Sequence, residues 1–211
     1  MKISVNTNEV ANNETSALKG FANVTFEDKF VVKNISIISG KNGLFVSMPN
    51  YRTNKVNEKG EYEYKDVFHP ITKEFRDELN KAVMESFTKK EDINITLDDK
   101  FSIQAKSTAY EKDKLLGFAS LVISDMFVVN DIRILQGKNG SFVAMPSQKT
   151  GKQTAEGKDI YRDVCFPITK DFRTELLKEI MGAYQVSKDH VDKELSEDFE
   201  KVAEGENVPT R

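Results

Sequence analysis

The chain is written twice. Gly20-Phe21-Ala22 recurs as Gly117-Phe118-Ala119, Phe30-Val31-Val32 as Phe127-Val128-Val129, and Gly40-Lys41-Asn42-Gly43 as Gly137-Lys138-Asn139-Gly140. Phe45-Val46-Ser47-Met48-Pro49 recurs as Phe142-Val143-Ala144-Met145-Pro146, and Pro70-Ile71-Thr72-Lys73 as Pro167-Ile168-Thr169-Lys170. The offset is 97 throughout, and from Leu18 to Phe87 the alignment needs no gap and half the positions agree. Self-similarity at this level means two copies of one fold. We place them at 1–87 and 100–185, with a structured linker at 88–99 and a tail at 186–211. Ahead of Leu18 the match weakens: Lys2-Ile3-Ser4-Val5 resembles Lys100-Phe101-Ser102-Ile103 only after a one-residue shift.

Within a copy the pattern reads as strands and then one helix. Phe21–Phe26 and the β-branched run Phe30–Ile38 are strands joined by a tight turn at Glu27-Asp28. Asn42-Gly43 favours a type I′ hairpin turn, where both central residues need positive φ. Leu44–Met48 is the returning strand, Asn50 to Glu61 a polar loop, and Tyr64–Phe68 a further short strand. Thr72 is placed to cap a helix whose apolar face is Phe75, Leu79, Ala82, Val83 and Phe87, matched by Phe172, Leu176, Ile180 and Tyr184. One apolar helix face requires one apolar sheet face. The expected fold is therefore α+β: two tandem repeats, each an antiparallel β-sheet with one C-terminal α-helix, plus a C-terminal helical tail.

A unit of ~85 residues buries a modest fraction of its surface and is marginal alone. The second copy can supply the missing surface, so the copies are expected to pack as a pseudo-dimer through strand edges. In the linker Ile93, Ile95 and Leu97 alternate, Asp98-Asp99 turn, and Phe101, Ile103 and Ala105 alternate, which predicts a hairpin. In the tail Val191, Leu195, Phe199 and Val202 mark one face of an amphipathic helix. The tail carries a net charge of −4, so the total of −3 leaves residues 1–185 at +1.

Composition excludes several classes. No apolar run approaches the ~18 residues of a membrane span. The opening Met1-Lys2-Ile3-Ser4-Val5-Asn6 has no apolar secretory core, so a cytoplasmic protein without membrane association is expected. The one cysteine, Cys165, excludes an internal disulfide and a multi-thiolate metal site, and the two histidines, His69 and His190, leave little for a His-rich one. Cys165 stands where the first copy has Phe68, and His69 where the second has Phe166, which marks them as packing positions. Asp66 and Asp163 recur beside a basic residue, as turn caps or ion-pair partners, without a second recurring carboxylate. No catalytic constellation, metal or cofactor is expected. Gly40-Lys41-Asn42-Gly43 lacks the Gly-Lys-Ser/Thr ending and following helix of a phosphate-binding loop.

What does recur is positive charge. Arg52 and Lys149, Lys55 and Lys152, and Lys65 and Arg162 lie in or after the loop that follows Met-Pro, and Arg76 and Arg173 lie on the helix. Lys and Arg so arranged suit phosphate contacts and salt-dependent binding to nucleic acid. Interleaved Glu58, Glu61, Glu63, Glu156 and Asp159 allow the alternative of an ordinary solvated surface. Tyr64 and Tyr161 are assigned packing roles, and Tyr51 is left open between packing and base stacking.

The sequence Gly-Lys-Asn-Gly-x-Phe-Val-x-Met-Pro, then a basic residue and Thr, then Tyr-(Lys/Arg)-Asp-Val-x-x-Pro-Ile, resembles the stage V sporulation protein G (SpoVG) family, once per copy. The resemblance implies small bacterial cytoplasmic regulators, dimers of an antiparallel sheet plus helix that bind DNA and in some cases RNA and affect septation and sporulation. It implies a single-chain version of the family dimer. Two functions follow as expectations. The first is a non-enzymatic regulator binding DNA or RNA through Arg52, Lys55, Lys65, Arg76, Lys149, Lys152, Arg162 and Arg173. The second is a protein-interaction module that has lost nucleic-acid binding and docks through the 187–204 helix, with further self-association an option. In a combination of the two, the acidic tail competes with phosphate for the basic loops.

Overall fold

The structure, a computed structural model, describes residues 1–11 and 16–203, apart from the side chains of 111 and 193–203. Copy 1 runs β1 (Lys2–Glu9), β2 (Leu18–Phe26), β3 (Phe30–Gly40), β4 (Gly43–Ser47), β5 (Asn50–Val56), β6 (Tyr62–Asp66), β7 (Phe68–Pro70) and α1 (Lys73–Lys89). The short strand β8 (Ile93–Thr96) follows. Copy 2 repeats the order as β9 (Ile103–Lys112), β10 (Leu115–Ile123), β11 (Phe127–Gly137), β12 (Gly140–Ala144), β13 (Ser147–Gln153), β14 (Asp159–Asp163), β15 (Cys165–Pro167) and α2 (Lys170–Ala203). The α+β class and the tandem, mutually packed copies are as the repeat predicts.

The copies complete each other's sheets. The first sheet has the order β15-β3-β2-β1-β8, with β4 also on β3; the second has β12-β11-β10-β9, with β7 also on β11. Thus β15 of copy 2 pairs with Phe30–Val32 of copy 1, and β7 of copy 1 pairs with Phe127–Val129 of copy 2. The backbone bonds are reciprocal. Lys33 N donates to Val164 O and Asn130 N to Val67 O, both at 2.7 Å, as do Ile168 N to Lys29 O and Ile71 N to Met126 O. Each set is the other moved along by 97 residues. Strand edges that would otherwise face water are closed by the opposite copy.

Local sequence sets the bends. In β3 two residues, Lys33 and Asn34, oppose one on β2, and Asn34 has φ 63°; Asp131 has φ 61° at the equivalent point of β11. Asn and Asp tolerate this left-handed conformation better than other residues with a Cβ. The bulge divides the strand edge. On its N-terminal side β3 pairs with the other copy's β15, on its C-terminal side with its own β4. The turn with two left-handed central residues is at Glu27-Asp28 (φ 49° and 50°) and Ser124-Asp125 (φ 52° each). It is not at Asn42-Gly43, where only Gly43 (φ 109°) is positive and Gly40 pairs with Gly43 across Lys41-Asn42, so the Asn-Gly expectation of type I′ is not met.

Three further expectations are corrected. The segment 50–61 is not a loop: β5 pairs antiparallel with β6, as β13 does with β14, in a two-stranded arm beside the main sheets. The linker is structured but is not a hairpin. Its first strand, β8, adds to β1, while Ile103 and Ala105 belong to β9, which pairs with β10 in the other sheet. The N-terminal strands match at an offset of 100, since Ile3 pairs with Phe26 and Ile103 with Ile123. The β1–β2 connection is longer by the difference, which breaks the alignment ahead of Leu18.

The core is continuous across the copies. Phe26, Phe68 and Phe75 of copy 1 surround Phe127 of copy 2, and Phe30 of copy 1 meets Phe172 of α2 edge-on at 6.3 Å. Thr72 accepts from Phe75 N at 3.2 Å and Thr169 from Phe172 N at 3.3 Å, so the predicted cap is made in both copies. Helix α1 stops at Lys90, a left-handed cap (φ 58°), and the chain turns back to lay β8 along β1. The equivalent residue in copy 2 is Ser187, and there the helix runs on to Ala203, so the predicted tail helix continues α2. Among the described residues no strand covers β9. Instead Ser187 Oγ accepts from Ala109 N at 2.9 Å and Glu179 Oε1 from Ala105 N at 3.4 Å. Of the predicted tail face, Val191 is exposed, while the side chains of Leu195, Phe199 and Val202 and all of residues 204–211 lie outside the described residues.

Candidate nucleic-acid interface

The arms carry most of the recurring cations. Both faces of each arm are largely exposed, which fits strands of polar, charged and aromatic residues without apolar alternation. Arg52 on β5 lies over the ring of Tyr62 on β6, 4.2 Å from its centroid. The equivalent pair in copy 2 is ionic: Lys149 Nζ is 2.6 Å from Asp159 Oδ2. That hydrogen bond holds the Lys149 ammonium above its ordinary pKa and, with help from Gln153, the Asp159 carboxyl below its own. Lys55 and Lys152 stand exposed on the outer parts of the arms, their backbone N–H groups donating to Thr53 and Thr150 hydroxyls.

Strand exchange turns each arm toward the sheet of the other copy. Gln148 Nε2 of the copy 2 arm donates to Asn50 O of the copy 1 arm at 2.9 Å, and Asn130 Nδ2 on the copy 2 sheet to Asp66 O of the copy 1 arm at 3.3 Å. Two pseudo-equivalent grooves result. In the first, Lys149 and Arg162 of the copy 2 arm face Asn34, Ser36 and Asn50 of copy 1. The groove continues past Lys33, Asp163, Phe166 and Arg173, with the Lys33 ammonium 5.1 Å from the Phe166 ring centroid. In the second, Tyr51 and Lys65 of the copy 1 arm face Asn130 and Asp131 of copy 2, with Asp66 and His69 between them. A crevice lined by Asp66, His69, Asn80 and Arg76 adjoins it, and there Arg76 Nη2 donates to Pro70 O at 3.2 Å. Burial raises the Asp131 carboxyl pKa, against the lowering pull of Arg133 and Lys65, and burial followed by Asp131 raises that of the Tyr51 phenol.

Of the eight predicted site residues, five line the grooves, sorted by copy, and three do not. Arg162, Arg173 and Lys149 come together in the first groove, Lys65 and Arg76 line the second, and Arg52, Lys55 and Lys152 line neither. Lys33 was missed because its counterpart is Asn130, and a search for recurring cations passes over it. Tyr64 and Tyr161 do not pack: they are 64% and 54% exposed. Tyr51 is half-buried in the second groove. Cys165 is fully buried at its packing position, and burial pushes its thiol pKa far up. No helix among the described residues is long and apolar enough to cross a membrane.

The SpoVG family model matches the chain twice, over residues 1–89 and 99–186. The chain belongs to the SpoVG family. Relatives named for septation include the SpoVG proteins of Caldanaerobacter subterraneus subsp. tengcongensis, 39% identical over 82 residues, and Treponema denticola, 40% identical over 74. These stretches cover 39% and 35% of this chain but 84% and 73% of the relatives. The SpoVG protein of Caldicellulosiruptor saccharolyticus is 46% identical over 70 residues, 33% of this chain and 73% of the relative. A relative thus corresponds in length to about one of the two SpoVG copies here.

Proposed function

We propose that this chain is a non-enzymatic, nucleic-acid-binding regulator of the bacterial cytoplasm, connected with septation as its relatives' names suggest, in which one polypeptide does the work of a pair. The observation that carries this reading is the first groove. There, cations from the arm and helix of copy 2 and from the sheet of copy 1 converge, with Asp163 the one carboxylate lining it among the described residues. Lys33, Arg162 and Arg173 are exposed, so phosphate contacts displace counterions at little desolvation cost. Polar Ser36, Asn50 and Gln148 can add neutral hydrogen bonds to sugar or phosphate oxygens.

The test is fluorescence anisotropy of the full chain with labelled duplex DNA and single-stranded DNA and RNA. Binding that weakens linearly in log–log salt is expected. Absence of binding to every probe at ~50 mM salt removes the reading.

One observation favours a second reading, a protein-docking module. Val186 and Val191 on α2 are 71% and 40% exposed, and they line an open groove between that helix and β9. Substituting both with Ser tests it: loss of a protein partner, in a chain whose parent binds no nucleic acid, favours docking.

A further inference from the structure

We infer that the two grooves have diverged, and that only the one bearing Lys33, Arg162 and Arg173 accepts a nucleic-acid backbone. The inference rests on the proposed function and deepens it.

The argument compares equivalent positions. Lys33 in the first groove is Asn130 in the second, Asn34 is Asp131, and Phe166 is His69. The first change removes a cation and the second adds an anion, while the backbone stays the same: Asn34 and Asp131 share the left-handed conformation at 63° and 61°. Arg162 is matched by Lys65 and Arg173 by Arg76, so these cations persist in both grooves. In the second groove they face two carboxylates, Asp66 and Asp131. In the first they face Asp163, and Lys33 adds its charge across the groove from the arm. Lys149 contributes less than its charge suggests, because Asp159 already pairs with it.

A phosphate entering the second groove meets a half-buried carboxyl that no solvent shell fully screens. Entering the first, it meets Asn34, whose amide can donate to a phosphate oxygen. Opposite charge attracts and like charge repels in both cases. The balance is cationic in one groove and near neutral in the other. A twofold-symmetric mode that engages both arms alike is thus not what this chain is built for.

The experiment uses the full chain and a labelled DNA duplex, with Kd measured by anisotropy between ~50 and ~200 mM salt. The variants are chosen in equivalent pairs, Arg162→Ala against Lys65→Ala and Lys33→Asn against Asn130→Lys, with Asp131→Asn added to the last. All are half-buried or exposed side chains, and circular dichroism melts confirm folding. Arg162→Ala is expected to weaken binding about tenfold and to flatten the salt slope by about 1. Lys33→Asn is expected to flatten it likewise, and Lys65→Ala to leave Kd and slope unchanged. With three phosphate contacts the parent slope is near −2.7 at roughly −0.9 per contact. Asn130→Lys with Asp131→Asn is expected to steepen the slope by opening the second groove. Equal losses from Arg162→Ala and Lys65→Ala, in a parent that binds, overturn the divergence and leave the proposed function standing. A parent that binds no duplex or single strand overturns both.

Discussion

Phe26 and Phe127 stack with ring centroids 4.2 Å apart and planes at 28°, although one belongs to each copy. Neither ring lies in a private core: Phe68 and Phe75 also contact Phe127, at 5.2 and 5.9 Å between centroids. Cooperative folding of the whole chain follows from that sharing.

Removing the ring tests it. Phe127→Ala leaves a cavity at a fully buried site, and losses at such sites run to about 3–5 kcal/mol. Urea denaturation followed by circular dichroism should show one transition in the parent and in the variant, shifted to lower urea. Two separated transitions in the parent would mean that the copies fold independently.

Gly117 permits a close approach that no other residue allows. A Cβ there would sit 2.7 Å from Thr108 O and 3.2 Å from the Tyr184 ring, and Gly20 is crowded in the same way by Asn8 O and Phe87. Gly117→Ala should destabilise by about 1–3 kcal/mol, the usual range for forcing volume into a packed site. A thermal melt checks it, and an unchanged midpoint would show that the strand and helix have room to separate.

Cys165 reports on the joint between the copies. It lies in β15, opposite Val32 of copy 1, fully buried, with its thiol pKa pushed far up by burial. Thiolate is the reactive form, so a thiol reagent should label the native protein only as fast as β15 leaves β3. Labelling should accelerate in parallel with global unfolding as urea is raised; rapid labelling in its absence would contradict the pairing.

Asp131 predicts a pH dependence. Its carboxyl pKa is raised in the folded state, so between the ordinary carboxylate value and the raised one the native protein holds a proton that the unfolded chain has released, and above both the carboxylate is ionised in each. Stability therefore falls as pH rises from the ordinary carboxylate value through the raised one. Asp131→Asn removes that penalty, and the amide tolerates the left-handed backbone as Asn34 does. The variant should melt higher than the parent at pH 7, the difference vanishing at pH below the ordinary carboxylate value. An equal gain at all pH values would assign the effect to something other than ionisation.

The main sheets and helices are readable from sequence because their residues are half in the core. Phe30–Ile38 and the Phe75, Leu79, Val83 face leave clear periods of two and 3.6. The arms leave none, since Asn50–Val56 and Tyr62–Asp66 are mostly exposed on both faces, so the first arm strand reads as loop and the second only in part as strand. Apolar alternation at Ile93–Leu97 and Phe101–Ala105 correctly announced strands but carried no record of which sheet each would join. The groove is the least legible part. Lys33 and Arg162 come from different copies, and only the exchange of β7 and β15 makes them neighbours.

The ends of the two sheets are finished differently. At one, β8 lies along β1; at the other, the Ala105 and Ala109 amides of β9 are held by Glu179 and Ser187 of a helix that outruns its twin. An open margin is an invitation to concatenate, since any extended chain, including another molecule of the same kind, can zip onto it. Here the margin of β1 is covered by a short strand and that of β9 by a helix, both from the same polypeptide, which shortens the edge that another chain could zip onto.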